Sequence, residues 1–362
     1  MIDAGRAPHA SIFIGKMGYG TLDIVLDYAQ ALLCTDSNQG IPCNNCASCN
    51  KARKIIHPDL HFAFPVIKKG TKKRADTTSK DFLPEWRELA AETRYFNLED
   101  WAYKIDADNK QLNINTTECN EIIKKLGLKA FEGGNKVMII YMAEFLAKEG
   151  NRLLKLIEEP PPNTFMILLA ENQESILNTI LSRCQIFGVS PMKDEYIKEE
   201  LKKIDLSAEK QEFISFLANG DLRRALALGR DTSMDLSADV ITWLRHAYML
   251  NKKPKILVDW VDDFSKLSKM AQNSFLEYML HFLREFQLSL IQSDFKLRLS
   301  KAEIDSAEKL KKIIDFQKVE KLSQICDTLY YNLSRNVNSK IELMNASIEI
   351  SNLLHQKVVL SS

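Results

Sequence analysis

A three-layer α/β domain with a largely parallel sheet, followed by a small helical unit and a long all-α region, is the fold predicted by this sequence of 362 residues. Three observations predict it. Short apolar runs alternate with helical patterns between residues 8 and 191, and strands buried on both faces of a parallel sheet read as such unbroken runs. Beyond Pro191 strand signals vanish, and apolar residues recur at helical spacing as far as residue 356. Apolar residues make up 45% of the chain, enough for more than one core.

The first element is a strand, Ser11–Ile14, running into Gly15, Gly18 and Gly20 and then into a helical pattern that ends near residue 34. Gly15 and Gly20 are spaced as in a phosphate-binding loop, G-x-x-x-x-G-K-[ST]. Thr21, however, stands in the lysine slot and Leu22 in the slot of the metal-binding hydroxyl. Residues 34–61 form a cysteine segment closing on His57-Pro58-Asp59-Leu60-His61. Residues 66–110 read as an insertion with one or two helices. It opens on a basic run, Lys68–Arg74, and then carries Phe82, Trp86, Tyr95, Phe96, Trp101 and Tyr103, which suit a local core or a protein contact. The basic run suits a solvated loop better than a contact with single-stranded or primer–template DNA.

A helix is expected over 114–128, with Asn115 and Thr116 capping it ahead of Glu118. Strands follow at 136–144 and 164–171, separated by a helix over 151–162 that three prolines stop. Residues 176–191 read as a helix ending in a short strand. Residues 192–232 form a small helical unit, and 236–356 are helical throughout, with Ile341, Met344 and Ile348 sharing one face.

Charge and composition bound the function. With 49 basic and 48 acidic residues the net charge is +1, which excludes a globally basic nucleic-acid coat but not a local basic face. No stretch approaches the roughly 18 apolar residues of a membrane span. The start, Met1–Arg6, lacks the basic and apolar stretches of a signal peptide, so a cytosolic protein is expected. Seven cysteines are present, four of them within sixteen residues. Cys34, Cys43, Cys46 and Cys49 give C-x8-C-x2-C-x2-C, a spacing that lets four thiolates converge on one tetrahedral ion. Such a closed site is structural, and metal affinity would stabilise a module too small to fold on its own core. Four free thiols or an iron–sulfur cluster are the alternatives. His57 and His61 are not expected to be ligands, and Cys119 and Cys326 suit core positions in helices. There is no G-x-S-x-G motif and no support for Ser/His/Asp catalysis.

The order of glycine loop, cysteine insert, "HPDLH" (57–61), "FEGGNKVMII" (131–140), "NRLLKLIEEPPPNT" (151–164) and "TILSRC" (179–184) resembles the bacterial DNA polymerase III clamp-loader subunits of the AAA+ class, delta-prime type. The related gamma/tau subunits hydrolyse ATP and delta-prime does not. The resemblance covers about 8–62 and 114–232, with 334–354 similar to the last helix of the family's collar. It implies an AAA+ core over 1–191 with a zinc module at 34–61 and the extra segment 66–110, a helical lid over 192–235, and a helical collar over 236–362.

The resemblance also assigns residues. Arg183 of Ser182-Arg183-Cys184 matches the arginine that reaches into a neighbour's ATP site, and Arg223 matches the sensor 2 arginine. The Walker B strand should end in Asp-Glu, yet Tyr141 and Met142 follow Ile140, and Glu144 stands only at the motif's fourth position. Phosphoryl transfer needs charge at the lysine, the metal and the water; this chain lacks all three. The expectation is a subunit without ATPase activity, counted with the polymerase holoenzyme, whose degenerate loop (Gly15, Gly18, Gly20, Thr21) holds no ATP. Structural zinc would sit on the four cysteines. The implied partners are gamma/tau-type and delta subunits in a hetero-pentamer, with the sliding clamp and primer–template DNA reached through the assembly, in the bacterial cytoplasm and away from membranes. An ATP-hydrolysing gamma/tau-type subunit, or a zinc-dependent nucleic-acid-binding module on an inactive AAA+ core, is the alternative. The latter sits poorly with the neutral charge; the former sits poorly with Thr21, Leu22, Tyr141 and Met142, and with the lack of a tau-like tail.

Overall fold

A computed structural model describes residues 7–107, 110–230, 236–291, 297, 299, 301–334 and 337–356. The signal-peptide reading of residues 1–6, the end of the lid segment (231–235) and the end of the collar segment (357–362) therefore lie outside the described residues. Contacts divide the chain into two units. One comprises the residues through Lys203 together with Ala218–Ala227; the other comprises Ile204–Leu217 and the residues from Leu228 onward.

The first unit is built on five parallel strands: β1 (Ala10–Ile14), β2 (Leu60–Ala63), β3 (Lys136–Ile140), β4 (Thr164–Ala170) and β5 (Gln185–Gly188). Their spatial order is β2-β3-β4-β1-β5. Ile12 lies opposite Leu168 on one side and Ile186 on the other, while Leu60 pairs with Val137 and Ile139 with Ile167. Side chains alternate across the pleat. Phe13, Val137, Ile139, Ile167 and Leu169 enter one core layer, and Ile12, Met138, Ile140, Met166 and Leu168 enter the other. Both faces are covered, which explains the unbroken apolar runs.

Helix α1 (Thr21–Leu33) covers the first face with Leu22, Val25 and Ala29. The short α2 (Ala47–Arg53) carries Cys49. The insertion forms two 3-10 turns, α3 (Leu83–Glu92) and α4 (Leu98–Lys104). Of its aromatic residues, Phe82, Trp86, Phe96 and Trp101 build a local core, whereas Tyr95 is half-buried and Tyr103 is exposed. Trp86 stacks on Phe64 at 4.4 Å between centroids and meets Phe96, Trp101 and Tyr141 edge-on at 5.0, 5.3 and 4.8 Å. Lys69 pairs with Glu85 and Lys72 with Asp81, so two of the five basic residues of the run face carboxylates within the insertion, while Arg74 bonds the neutral Gln111.

Helix α5 (Thr116–Gly127) covers the second face with Cys119, Ile122 and Leu126. Its cap is the one predicted: the Asn115 side chain accepts from the Glu118 amide at 2.9 Å. Strand β3 stops at Ile140, short of the expected 144, because Met142 takes a left-handed conformation with φ of 55°. A 3-10 stretch over Ala143–Leu153 precedes the short α6 (Leu154–Glu158), and α7 (Asn178–Leu181) leads into β5. Strand β2, which sequence patterning left as the tail of the cysteine segment, is only four residues long.

Beyond the sheet come α8 (Asp194–Leu201), α9 (Ala208–Ala218) and α10 (Leu222–Arg230), then α11 (Leu236–Tyr248), α12 (Pro254–Ser265), α13 (Lys269–Ile291), α14 (Lys301–Leu310), α15 (Phe316–Ser334) and α16 (Ser339–His355). The second unit buries Trp243, Phe275, Phe282, Phe286, Leu322 and Cys326 in one core, and the Trp243 indole donates to Ser347 Oγ at 2.9 Å. One expectation is corrected here. On α16 the packed residues are Leu343, Ala346, Ser347, Ile350, Leu353 and Leu354, whereas Ile341 and Ile348 are exposed. Two apolar faces overlap in this sequence, and spacing alone does not say which one packs. Among the described residues, no helix is long and apolar enough to cross a membrane.

Candidate functional site

The glycine loop leaves the carboxyl end of β1 between β4 and β5, where open α/β sheets hold ligands. Gly15 N–H donates to Ala170 O at 3.0 Å, and Val189 N–H donates to Ile14 O at 2.8 Å. Gly20, with φ of 82°, turns the chain into α1; a side chain would be strained in that conformation. Thr21 is fully buried. Its hydroxyl donates to the carbonyls of Lys16 at 2.9 Å and Gly15 at 3.2 Å, so the residue in the lysine slot turns back on the loop.

The amides of such a loop attract anions, and here the protein supplies its own. Met17 N–H donates to Glu171 Oε1 at 2.9 Å. The Asp221 carboxylate lies over Gly18, so close that a Cβ there would fall 1.9 Å from Oδ1. Glu144 sits behind Glu171, accepting from the amides of Glu171 and Asn172, and burial raises its pKa above the ordinary carboxylate value. A phosphate entering this loop would displace Glu171 and face Asp221. Each like charge at about 4 Å opposes it by roughly 4 kcal/mol at an effective dielectric near 20.

Tyr141 and Arg223, which the resemblance matches to the Walker B and sensor 2 positions, are likewise engaged by groups of the chain itself. Tyr141 is fully buried and donates its hydroxyl to Phe96 O at 3.0 Å; burial raises its pKa well above the ordinary phenol value, so it stays neutral. Arg223 makes a two-pronged contact with Asp100, Nη2 to Oδ1 at 2.8 Å and Nε to Oδ2, with the two side chains 27% and 33% exposed. Asp100 also accepts from Asn97 N–H in the capping box of α4. Arg94 pairs with Asp23 on α1 at 2.8 Å, and Tyr95 lies against Gly20 together with Met192.

The four clustered cysteines converge. Their sulfurs lie within 4.8 Å of one another, with Cys34 to Cys43 at 3.6 Å and Cys34 to Cys46 at 4.0 Å. A tetrahedral ion with metal–sulfur bonds of about 2.3 Å needs sulfurs about 3.8 Å apart. Backbone N–H groups of Cys43, Cys46 and Cys49 point at the sulfurs of Cys34, Cys43 and Cys46 at 3.3–3.4 Å, the way a chain steadies thiolates. The donor set can hold a metal ion and is compatible with zinc. Neither histidine joins it. His57 Nδ1 accepts from Asp59 N–H, leaving Nε2 to donate to Ser48 Oγ at 2.7 Å; that hydroxyl donates to Leu33 O, tying the module to the end of α1. Asp59 accepts from the amides of Phe131 and Glu132 at 2.6 and 2.9 Å, which fixes the loop before β3.

Arg183 follows α7. Its side chain is 38% exposed, pairs with Glu158 through Nε, and donates from Nη1 to Thr179 O and Ser182 Oγ, both at 3.1 Å. It is held at the surface and is not sealed inside the fold.

The family model described as "DNA polymerase III, delta subunit" matches residues 1–193. The chain belongs to this DNA polymerase III delta subunit family. Curated members include the DNA polymerase III subunit delta' of Bacillus subtilis, 25% identical over 64% of this chain, and that of Haemophilus influenzae, 29% identical over 62%. Each match spans 56% of the relative's own length. The DNA polymerase III subunit tau of Bacillus subtilis is 23% identical over 96% of this chain and 58% of its own length.

Within this delta-subunit family member, patterning picked out the glycine loop and the cysteines, while Arg183 was singled out only by the resemblance. Patterning missed Glu171, Asp221 and Asp100, which hold the loop and Arg223. Asp100 carried one local signal, Asn97-x-x-Asp100 at a helix start, which reads as a cap. Glu171 and Asp221 carried none, because what they do depends on contacts with loop residues 154 and about 200 positions away.

Proposed function

We propose that this chain is a non-hydrolysing, delta-prime-type subunit of a DNA polymerase III clamp loader. It would hold a ring position beside gamma/tau-type and delta subunits in a hetero-pentamer, in the bacterial cytoplasm. It would offer Arg183 to the ATP site of a neighbour, while the assembly opens the sliding clamp on primer–template DNA. Structural zinc would hold Cys34, Cys43, Cys46 and Cys49 together. The AAA+ core over 1–191, a lid over 192–235 and a collar over 236–362 complete the reading.

The observation that carries this reading is the glycine loop. Thr21 stands where a lysine would meet the phosphates and spends its hydroxyl on the loop's own carbonyls, and Glu171 takes the amide of Met17. Tyr141, tied to Phe96, replaces the metal-binding carboxylate. Phosphoryl transfer is almost wholly positioning plus charge stabilisation, and these groups supply neither. The nucleic-acid reading is weaker, since Lys69 and Lys72 already face Glu85 and Asp81.

Steady-state turnover tests the reading. The purified chain, with Mg·ATP and primed DNA, is expected to release phosphate at the rate of a protein-free control. A rate on the order of 1 s⁻¹, ordinary for an enzyme, would make it a motor subunit instead.

A further inference from the structure

Four positions of the insertion, within one stretch of seven residues, reach four separate parts of the would-be nucleotide site. Arg94 pairs with Asp23 in the first turn of α1. Tyr95 lies 3.5 Å from the place a Cβ on Gly20 would occupy. Phe96 O accepts the Tyr141 hydroxyl at the end of β3. Asp100 grips Arg223 on α10 with both oxygens. The resemblance implies that a nucleotide bound to an active subunit would bridge these parts: loop, strand end and sensor arginine. The resemblance implies that an arginine at the last of these positions meets a phosphate; here Arg223 meets a carboxylate, which, like one face of a phosphate, presents two oxygens to the guanidinium fork.

We propose that the segment Arg94–Asp100 is a built-in stand-in for a nucleotide, with Asp100 in the role of a phosphate on Arg223. The segment keeps Leu222–Ala227 docked against α4 and the glycine loop whether or not ATP is present. This gives the insertion a task that the family match does not assign. It rests on the reading that the chain's own loop carries no nucleotide, and it adds to it. Losing the lysine and the Walker carboxylates would by itself leave the sensor helix without its usual tether; the insertion, a part of the same chain, restores a tether through the Asp100–Arg223 ion pair. Three further features fit. Asp100 is oriented twice, by Arg223 and by the Asn97 amide, so its carboxylate is pre-organised for the grip. Asp221 caps α10 by accepting from Arg224 N–H at 2.9 Å while covering Gly18, so docking of the helix and closure of the loop are one arrangement. Trp86, fully buried, backs Phe96 and Tyr141 and makes the segment rigid.

Hydrogen exchange on the intact chain tests this without any partner subunit or ATPase readout. In the wild type, amides of Leu222–Ala227 should be protected, and saturating Mg·ATP should leave their exchange unchanged. Asp100→Asn keeps an acceptor for the α4 cap but removes the charge; it should speed exchange over Leu222–Ala227 by about 10- to 100-fold, the loss expected for a hydrogen bond to a charged group. Amides of β3 and β4 should exchange as before. Arg223→Gln should give the same pattern, and the double exchange Asp100→Arg with Arg223→Asp should restore at least part of the protection. Exchange over Leu222–Ala227 that is unaltered by both single variants would overturn the proposal. So would ATP-dependent protection of Leu222–Ala227 in the wild type. A chain that binds ATP but still loses protection in both variants would sink the nucleotide-free reading while leaving the tether intact, so the two failures can be told apart.

Discussion

Arg183→Ala should lower DNA-stimulated ATP turnover of the reconstituted complex by about 10³-fold or more at one neighbouring site, with assembly and ATP binding retained. A guanidinium supplied in trans to charge developing on a γ-phosphate is worth about 10³–10⁵ in rate. The side chain is available for this, at 38% exposure and with its fork directed by Glu158, Thr179 and Ser182. Its ion pair with Glu158 is no obstacle, because exposed pairs contribute only about 0–1 kcal/mol and exchange readily for a stronger anion. Arg183→Lys should recover little, since an ammonium lacks the planar fork. The measurement is single-turnover hydrolysis by complexes that differ only at this position. Turnover equal to wild type would remove Arg183 from the chemistry and leave it as a surface ion pair.

The second large effect is on the cysteine module. Cys43→Ser should reduce metal affinity more than 100-fold, since even partners outside the ligand set can be worth about 10–100-fold. Wild-type chain should carry one metal ion per molecule by elemental analysis, the variant close to none. Stability should follow, because metal binding in a small module is also folding free energy. Residues 35–48 have few other anchors, chiefly the Ser48–Leu33 and Ser48–His57 hydrogen bonds and the contact of Gln30 with Asn44, whereas the rest of the module is also held by Ala52 and Ile55 in the core and by the Lys51–Glu132 pair. Without the ion, limited proteolysis should cut between residues 35 and 48 while the sheet survives. A chelator should reproduce the cut in the wild type. Full metal content in the variant, or an unchanged digestion pattern, would count against a four-thiolate site.

Much of the fold was legible because its signals are local. The apolar runs of β1, β3 and β4 announce strands buried on both faces, and the Asn115 cap and the three prolines from Pro160 mark helix ends. The cysteine spacing was legible for the same reason, since two x2 spacings constrain geometry over a few residues. What stayed hidden depends on contacts distant in sequence. Strand β2 is too short to show a period of its own, and its partner Val137 lies 77 positions from Leu60. The aromatic content of the insertion foretold a core, yet not that Phe96 would meet Tyr141 or that Asp100 would meet Arg223, 123 positions away. The packed face of α16 was misread because Ile341 and Ile348 satisfy the same spacing as the buried set. In each case local chemistry named the parts, and tertiary packing chose their partners.

On the proposed reading, the glycine loop is filled by the chain's own groups and takes no nucleotide. Calorimetric titration of Mg·ATP into the isolated chain tests it most directly. No saturable heat should be seen up to about 1 mM, a limit corresponding to roughly −4 kcal/mol. Stoichiometric binding with a micromolar dissociation constant, lost when Gly18 is replaced by a bulkier residue, would contradict it.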